Sequence, residues 1–248
     1  MIYLTSSAIK VLLILGRITM LRTAVSTHAG GCIMIAKIAE GEQLSFAGTG
    51  FICHPKGYIL TCAHILNLTE RYCIIPPQPF NQFNNMTITY PQILETSVAQ
   101  YDPENDVALL KIKNNSEISM PNNIFGAPEK IPVGATVCYL GYPYGQQGLH
   151  TLKASQGIVS SKVISTNGTN QFQIDAMIHE GNSGGPLIDV NTNQIIGLIN
   201  GRFSPTGSQG SIFIGSHALG TDSTISFATT IDYGVELLKS EGVNLGII

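Results

Sequence analysis

Residues 181–186 read Gly-Asn-Ser-Gly-Gly-Pro. Glycines on both sides of a serine let another backbone come close, because no Cβ stands in the way. A serine hydroxyl is a poor nucleophile at neutral pH and needs a base within hydrogen-bond reach. Imidazole suits that task, since its unperturbed pKa is about 6.5. It must also be held in one tautomer and steadied when it becomes charged, which a carboxylate does. The sequence offers both partners. His64 ends the run Leu60-Thr61-Cys62-Ala63-His64, and Asp106 heads Asp106-Val107-Ala108-Leu109-Leu110-Lys111-Ile112. The chemistry these types could do is acyl transfer, with Ser183 as nucleophile, His64 as general base and Asp106 as its orienting carboxylate.

Acyl transfer also needs donors for the oxyanion, each worth about 3 kcal/mol. The amides of Gly181 and Ser183 are the candidates, with the Asn182 N–H nearby. Each residue has an ordinary explanation if taken alone. The glycine-rich stretch reads as a hairpin turn, His64 as a histidine at a strand end, and Asp106 as a turn cap. Asp106 nevertheless opens an apolar run, where a charge needs a partner. Asp102 and Asp175 are weaker rivals. His28, His54, His150, His179 and His217 lack a comparable strand context. The three contexts in one order favour a shared site.

The elements that must hold these residues are strands. Gly31–Ile38, Leu44–Cys53, Tyr58–Cys62, Met86–Tyr90 and Val107–Ile112 read as β in the first half. Val133–Leu140, Leu149–Val159, Phe172–Ala176, Gln194–Ile199 and Thr224–Ala228 read so in the second. Short strands with turn signals and no long helical period imply barrels or a sandwich. One helix closes the chain, with Ile231, Val235 and Leu238 at helical spacing, Asp232 near its start and Gly242 to stop it. Lys113–Pro132 reads as a connector. The organisation expected is an N-terminal extension over 1–27, a first β unit over 28–125 and a second over 126–248. Phe203–Asp222 reads as an extended Gly/Ser loop.

Composition narrows the classes further. Of 248 residues, 44% are apolar, enough for a sizeable core, and the net charge of −3 with no basic run gives no nucleic-acid partner. The apolar run Val11–Leu15 is too short to span a bilayer. The five cysteines (Cys32, Cys53, Cys62, Cys73 and Cys138) have no zinc-site spacing and read as buried free thiols, although Cys53 and Cys62 are candidates to pair. No metal or cofactor is called for. The setting expected is cytoplasmic; Ala24-Val25-Ser26 as a cleavage site keeps export open, and Met20 is an alternative start.

These residues resemble the trypsin-like serine protease superfamily, and in particular its HtrA/Deg branch. The resemblance runs from about residue 28 to 241. It is carried by Gly48-Thr49-Gly50-Phe51-Ile52 with Gly57–His64, by Asp102–Ile112, by Gly141-Tyr142-Pro143-Tyr144-Gly145, by Gly157-Ile158-Val159-Ser160, and by Gln173-Ile174-Asp175-Ala176 with Gly181–Pro186. It implies an all-β fold of two six-stranded antiparallel barrels with a C-terminal helix. His64 and Asp106 would come from the first barrel and Ser183 from the second, with the site in the cleft between. Asn182 stands where trypsin carries the aspartate that pairs with a freshly cut N-terminus, so no such activation is implied. Ile65 stands where secreted relatives carry a bridge cysteine. The chain stops after the final helix, so the PDZ module of many HtrA/Deg proteins is not expected. That puts a chaperone-protease role and the usual oligomer in doubt.

The expected activity is hydrolysis of peptide bonds in a protein or peptide substrate, through an acyl-enzyme. Pocket walls are expected from Met177, Ile178, His179 and Glu180 and from Leu198, Ile199, Asn200 and Gly201. Met177 at the pocket base implies cleavage after small or medium apolar residues; His217 offers an acidic preference instead. The Phe203–Asp222 loop would tune selectivity. The alternatives are a latent protease that needs a regulatory protein partner, and a non-catalytic module that binds peptide by strand addition.

Overall fold

The computed structural model describes residues 20–114, 117–202, 212–214, 217–219 and 224–243. A helix α1 over 20–28 leads into strands β1 (Cys32–Ile38), β2 (Leu44–His54), β3 (Tyr58–Thr61), β4 (Arg71–Ile75), β5 (Leu94–Asp102) and β6 (Val107–Ile112), which close a barrel in the order β1-β2-β3-β6-β5-β4. A second barrel follows. It contains β7 (Thr136–Gly141), β8 (Lys153–Ile164), β9 (Asn170–Asp175), β10 (Pro186–Asp189) and β11 (Gln194–Arg202). A small hairpin of β12 (Ile212–Ile214) and β13 (His217–Leu219) comes next. Then β14 (Ile225–Thr230) closes the barrel in the order β10-β11-β14-β9-β8-β7, and helix α2 (Ile231–Ser240) ends the fold.

The alternation of side chains explains why both barrels share one frame. In β1, Ile33 and Ile35 point into the first barrel with Ile59, Ile74 and Leu110. Their neighbours Cys32 and Met34 point the other way, into a cluster with Leu60, Leu109, Leu140 and Leu198. In β7, Val137 and Tyr139 fill the second barrel, while Cys138 and Leu140 join that same shared cluster. Strands at the junction are therefore apolar on both faces, and each buried aliphatic side chain contributes about 1.5–3 kcal/mol. Helix α2 lays Ile231, Val235 and Leu238 on the shared cluster. It ends as its sequence implies: Gly242 has φ 65° and donates its N–H to Lys239 O at 2.9 Å.

Several expectations change. Met86–Tyr90 is not a strand. β4 already seals the barrel against β1, so no free edge remains for that segment. It is held instead by His150: Ile88 N–H donates to His150 Nδ1 at 3.0 Å, and His150 N–H to Met86 O at 2.8 Å. Strands β4, β5 and β10 carry pairing that the apolar pattern did not announce. Within the 1–27 stretch, Ala24 and Val25 of α1 are buried in the shared cluster. Of Phe203–Asp222, the described residues form the β12–β13 hairpin; the remainder lies outside the described residues. All five cysteines are free and buried, Cys53 and Cys62 included. Burial pushes the Cys73 thiol up to about 11 and Cys138 to about 12.

Candidate functional site

His64 and Asp106 meet because β3 and β6 are antiparallel neighbours. Thr61 lies opposite Ala108, so the chain just past β3 faces the chain just before β6. His64 sits in a single 3-10 turn, Ala63–Ile65. Asp106 sits in the β5–β6 turn with φ 56°, a left-handed conformation that aspartate tolerates better than most side chains. Asp102 builds that turn. Its carboxylate accepts from the Asn105 N–H at 3.0 Å and from Asn105 Nδ2 at 2.7 Å.

The Asp106 carboxylate then takes three bonds from one residue. The His64 backbone N–H donates to Oδ1 at 2.9 Å, and the ring Nδ1 lies 2.9 Å from Oδ1 and 2.8 Å from Oδ2. Bonds to an ionised carboxylate are about twice as strong as neutral ones. With Nδ1 turned to the carboxylate, Nε2 is the nitrogen left for other chemistry. The side chains are 48% and 25% exposed respectively, so the ring stands at the surface with its carboxylate behind it.

Ser183 lies in the turn between β9 and β10. Two glycines set its backbone. Gly181 has φ 93°, and a Cβ there would strike Tyr142 O; Gly184 has φ 86°, and a Cβ there would overlap Thr49 O and the Thr61 hydroxyl. Gly184 thus presses against Thr61 at the end of β3, three positions before His64. Thr49 of β2 fastens the turn: its N–H donates to Ser183 O at 2.9 Å, its hydroxyl to Gly181 O at 2.6 Å, and its carbonyl accepts from Thr61 Oγ1 at 2.7 Å. Gly184 N–H donates to Ile199 O at 2.7 Å, tying the turn to β11.

Among the described residues, the Gly181 and Ser183 N–H groups have no backbone acceptor, whereas Asn182 N–H is engaged with His179 O at 3.2 Å. Of the three candidate donors, Gly181 and Ser183 are thus the two without a backbone partner among the described residues. The Ser183 hydroxyl donates to Asn200 O at 3.4 Å, a loose bond, and none joins it to the imidazole among the described residues.

The candidate pocket residues divide. Ile178, Leu198 and Ile199 have their side chains in the cores, so those positions can offer a ligand only backbone. Met177 is 37% exposed. His179 Nδ1 pairs with the Tyr144 hydroxyl at 2.8 Å, and Glu180 accepts from Gln146 at 2.9 Å. Asn200 reaches Thr229 Oγ1 through Nδ2 at 3.2 Å; Gly201 has open space where a Cβ would be. The side chain of His217 lies outside the described residues.

Three residues escaped the sequence reading. Thr49 links the two barrels at the serine turn, and its position between Gly48 and Gly50 in a strand was the available signal of close approach. Asn105 accepts from Thr169 Oγ1 at 2.8 Å and so ties the aspartate turn to the second barrel. Cys62 is fully buried beside Asp106, and its thiol donates to Ile199 O at 3.2 Å. Burial first, and the Asp106 charge second, push this thiol well above its ordinary range.

Comparison with known proteins follows the same lines. Residues 48–198 match the family described as trypsin-like peptidase domain. A probable periplasmic serine endoprotease, DegP-like, of Chlamydia pneumoniae is 33% identical over 177 residues, covering 68% of this chain and 31% of the relative. Its counterpart in Pseudomonas putida is 29% identical over 201 residues, covering 79% and 35%. The chain therefore spans about a third of the length of these curated relatives. Two solved structures of the HtrA-type protease AlgW with a tripeptide share the fold. Their TM-scores are 0.63 and 0.61 at 23% identity, covering 89% of this chain and 62% of those chains.

Proposed function

The chain belongs to the trypsin-like peptidase family, and from that premise we propose that it is a serine endopeptidase in which Ser183 attacks the scissile carbonyl, His64 takes its proton and Asp106 orients and steadies the imidazole. The observation that carries this reading is the Asp106–His64 pair, closed by bonds of 2.8–2.9 Å, together with a serine turn in which the Gly181 and Ser183 N–H groups have no backbone acceptor among the described residues. The hydroxyl turns from Asn200 O to His64 Nε2 on substrate binding; catalytic hydrogen bonds are often long before substrate arrives. The Gly181 and Ser183 amides receive the oxyanion, and the acyl-enzyme is then hydrolysed by water activated at the same imidazole.

Substrate is proposed to be protein or peptide, laid along β11 near Asn200 and Gly201, with a small or medium apolar residue beside Met177. Phe203–Asp222 follows that strand in the sequence and is proposed to shape selectivity. The relatives' description as periplasmic favours export over the cytoplasmic setting; cell fractionation decides it. No helix among the described residues is long and apolar enough to cross a membrane.

A fluorophosphonate probe tests the core of this reading. It should label Ser183, and Ser183→Ala should lose both labelling and peptide cleavage. One observation supports a latent variant of the same reading: the hydroxyl rests on Asn200 O at 3.4 Å instead of the imidazole. In that case labelling rises when a partner or peptide is added. Peptide binding with no labelling under any condition points to a non-catalytic module.

A further inference from the structure

The Cys62 thiol has no part in the proposed reaction, yet it lies at the heart of the site. Its sulfur, one His64 ring nitrogen and one Asp106 carboxylate oxygen all lie within 4.8 Å of one another. Thiolate sulfur, imidazole nitrogen and carboxylate oxygen are the donor types zinc prefers, and three protein ligands plus water make a common tetrahedral arrangement. Bond lengths of about 2.0–2.3 Å place such ligands about 3.5 Å apart. Reaching that spacing from separations of up to 4.8 Å takes an adjustment. The imidazole can supply it, being about half exposed, while Cys62 is fixed in the buried wall.

We propose that Cys62, His64 and Asp106 form an inhibitory site for a zinc-like divalent cation. The proton accounting is specific. The carboxylate enters already ionised. His64, which points Nδ1–H at Asp106, must move that proton to Nε2 before Nδ1 can bind metal. The thiol releases one proton to solvent. One proton is therefore lost per ion bound, and the two negative ligands neutralise the dication. The consequence for the reaction is direct: Nε2 now carries a hydrogen and cannot accept one from Ser183. Hard cations such as magnesium and calcium, which take oxygen ligands, are excluded by the thiolate.

The metal site stands on the ligand geometry; only its inhibitory effect rests on the protease reading. Titration of the full chain with Co²⁺, followed by visible absorption, separates the two. The expected spectrum has tetrahedral ligand-field bands and a sulfur-to-cobalt charge-transfer band, in wild type and in Ser183→Ala alike. Zn²⁺ should displace it. Affinity should tighten about tenfold for each unit of pH, because one proton leaves. Cys62→Ala and Cys62→Ser should each lose the charge-transfer band and at least about tenfold in affinity; the serine variant keeps a donor for Ile199 O. Zn²⁺ should slow fluorophosphonate labelling of wild type, reversed by a chelator. In the Cys62 variants, each measured against its own metal-free rate, it should not. No thiolate band, or unchanged affinity in both variants, overturns the site. A thiolate band with labelling undiminished by Zn²⁺ overturns the inhibition. Failure of the metal-free protein to label at all counts against the protease reading alone, since the cobalt spectrum still reports on the site.

Discussion

The two halves of the site are built in different ways. The His64–Asp106 half is a product of one barrel: adjacent strands β3 and β6 bring the residues together, and the bonds between them are short. The Ser183 half is a product of the seam. Its turn is fastened by Thr49 from the other barrel, its glycines fit only because that barrel's backbone is where it is, and its hydroxyl bond is loose. Buried polar atoms follow the same division. Asn182 Nδ2 and Asn200 Oδ1 lack partners near the serine, while no such atom falls on the His64 or Asp106 side among the described residues. Under the proposed reading, the His64–Asp106 half is set in advance and the Ser183 half is the one that substrate or a partner would complete.

Breaking each half in turn should give effects of descending size. Ser183→Ala should lower turnover about a millionfold while leaving peptide binding intact; residual activity near wild type would remove Ser183 from the chemistry. Asp106→Asn should lower turnover about ten-thousandfold through the wrong imidazole tautomer, with little change in KM. Gly184→Ala should act on the fold instead, because its Cβ overlaps Thr49 O and Thr61 Oγ1 and the backbone is left-handed; a loss of about 3 kcal/mol or more in urea unfolding is expected. Thr49→Val should cost about 1–3 kcal/mol by stranding buried partners. If the nucleophile half is the softer one, this change should also reduce labelling of Ser183 in the remaining folded protein.

A smaller effect lies outside the site. His28 at the end of α1 is buried against Asn193 O at 2.9 Å, and burial holds its pKa below the ordinary value. The unfolded chain takes up a proton below about pH 6.5 while the folded chain resists. Stability should therefore be full above that pH and decline as pH falls through it towards the lower folded value. Replacing His28 by Gln should flatten this slope in unfolding curves taken from about pH 7 to 5. An unchanged slope would assign the decline to other groups.

The three proposed catalytic residues could be read in the sequence because each carries its context locally: a strand before His64, an apolar run after Asp106, glycines around Ser183. Their supports were harder to read. Asn105 and Cys62 matter through register and through the approach of the second barrel, which no local pattern encodes, and only the glycines beside Thr49 hint at a close approach. The same limit explains the strands. Arg71–Ile75 is only five residues long and largely buried on both faces, so it shows no alternation, while Leu94–Asp102 is polar enough on its outer face to pass for a loop, since a barrel wall needs only alternate residues inside. Met86–Tyr90 has the composition of a strand but meets a sheet already closed. For the proposed pocket, the pattern cannot tell that the side chains of Ile178, Leu198 and Ile199 turn inward.

The most direct measurement is mass-spectrometric mapping of a fluorophosphonate adduct on wild type and on His64→Ala. A single adduct on Ser183 is expected in wild type, and almost none in the variant. Equal labelling in both, or an adduct on another residue, would contradict the proposed roles.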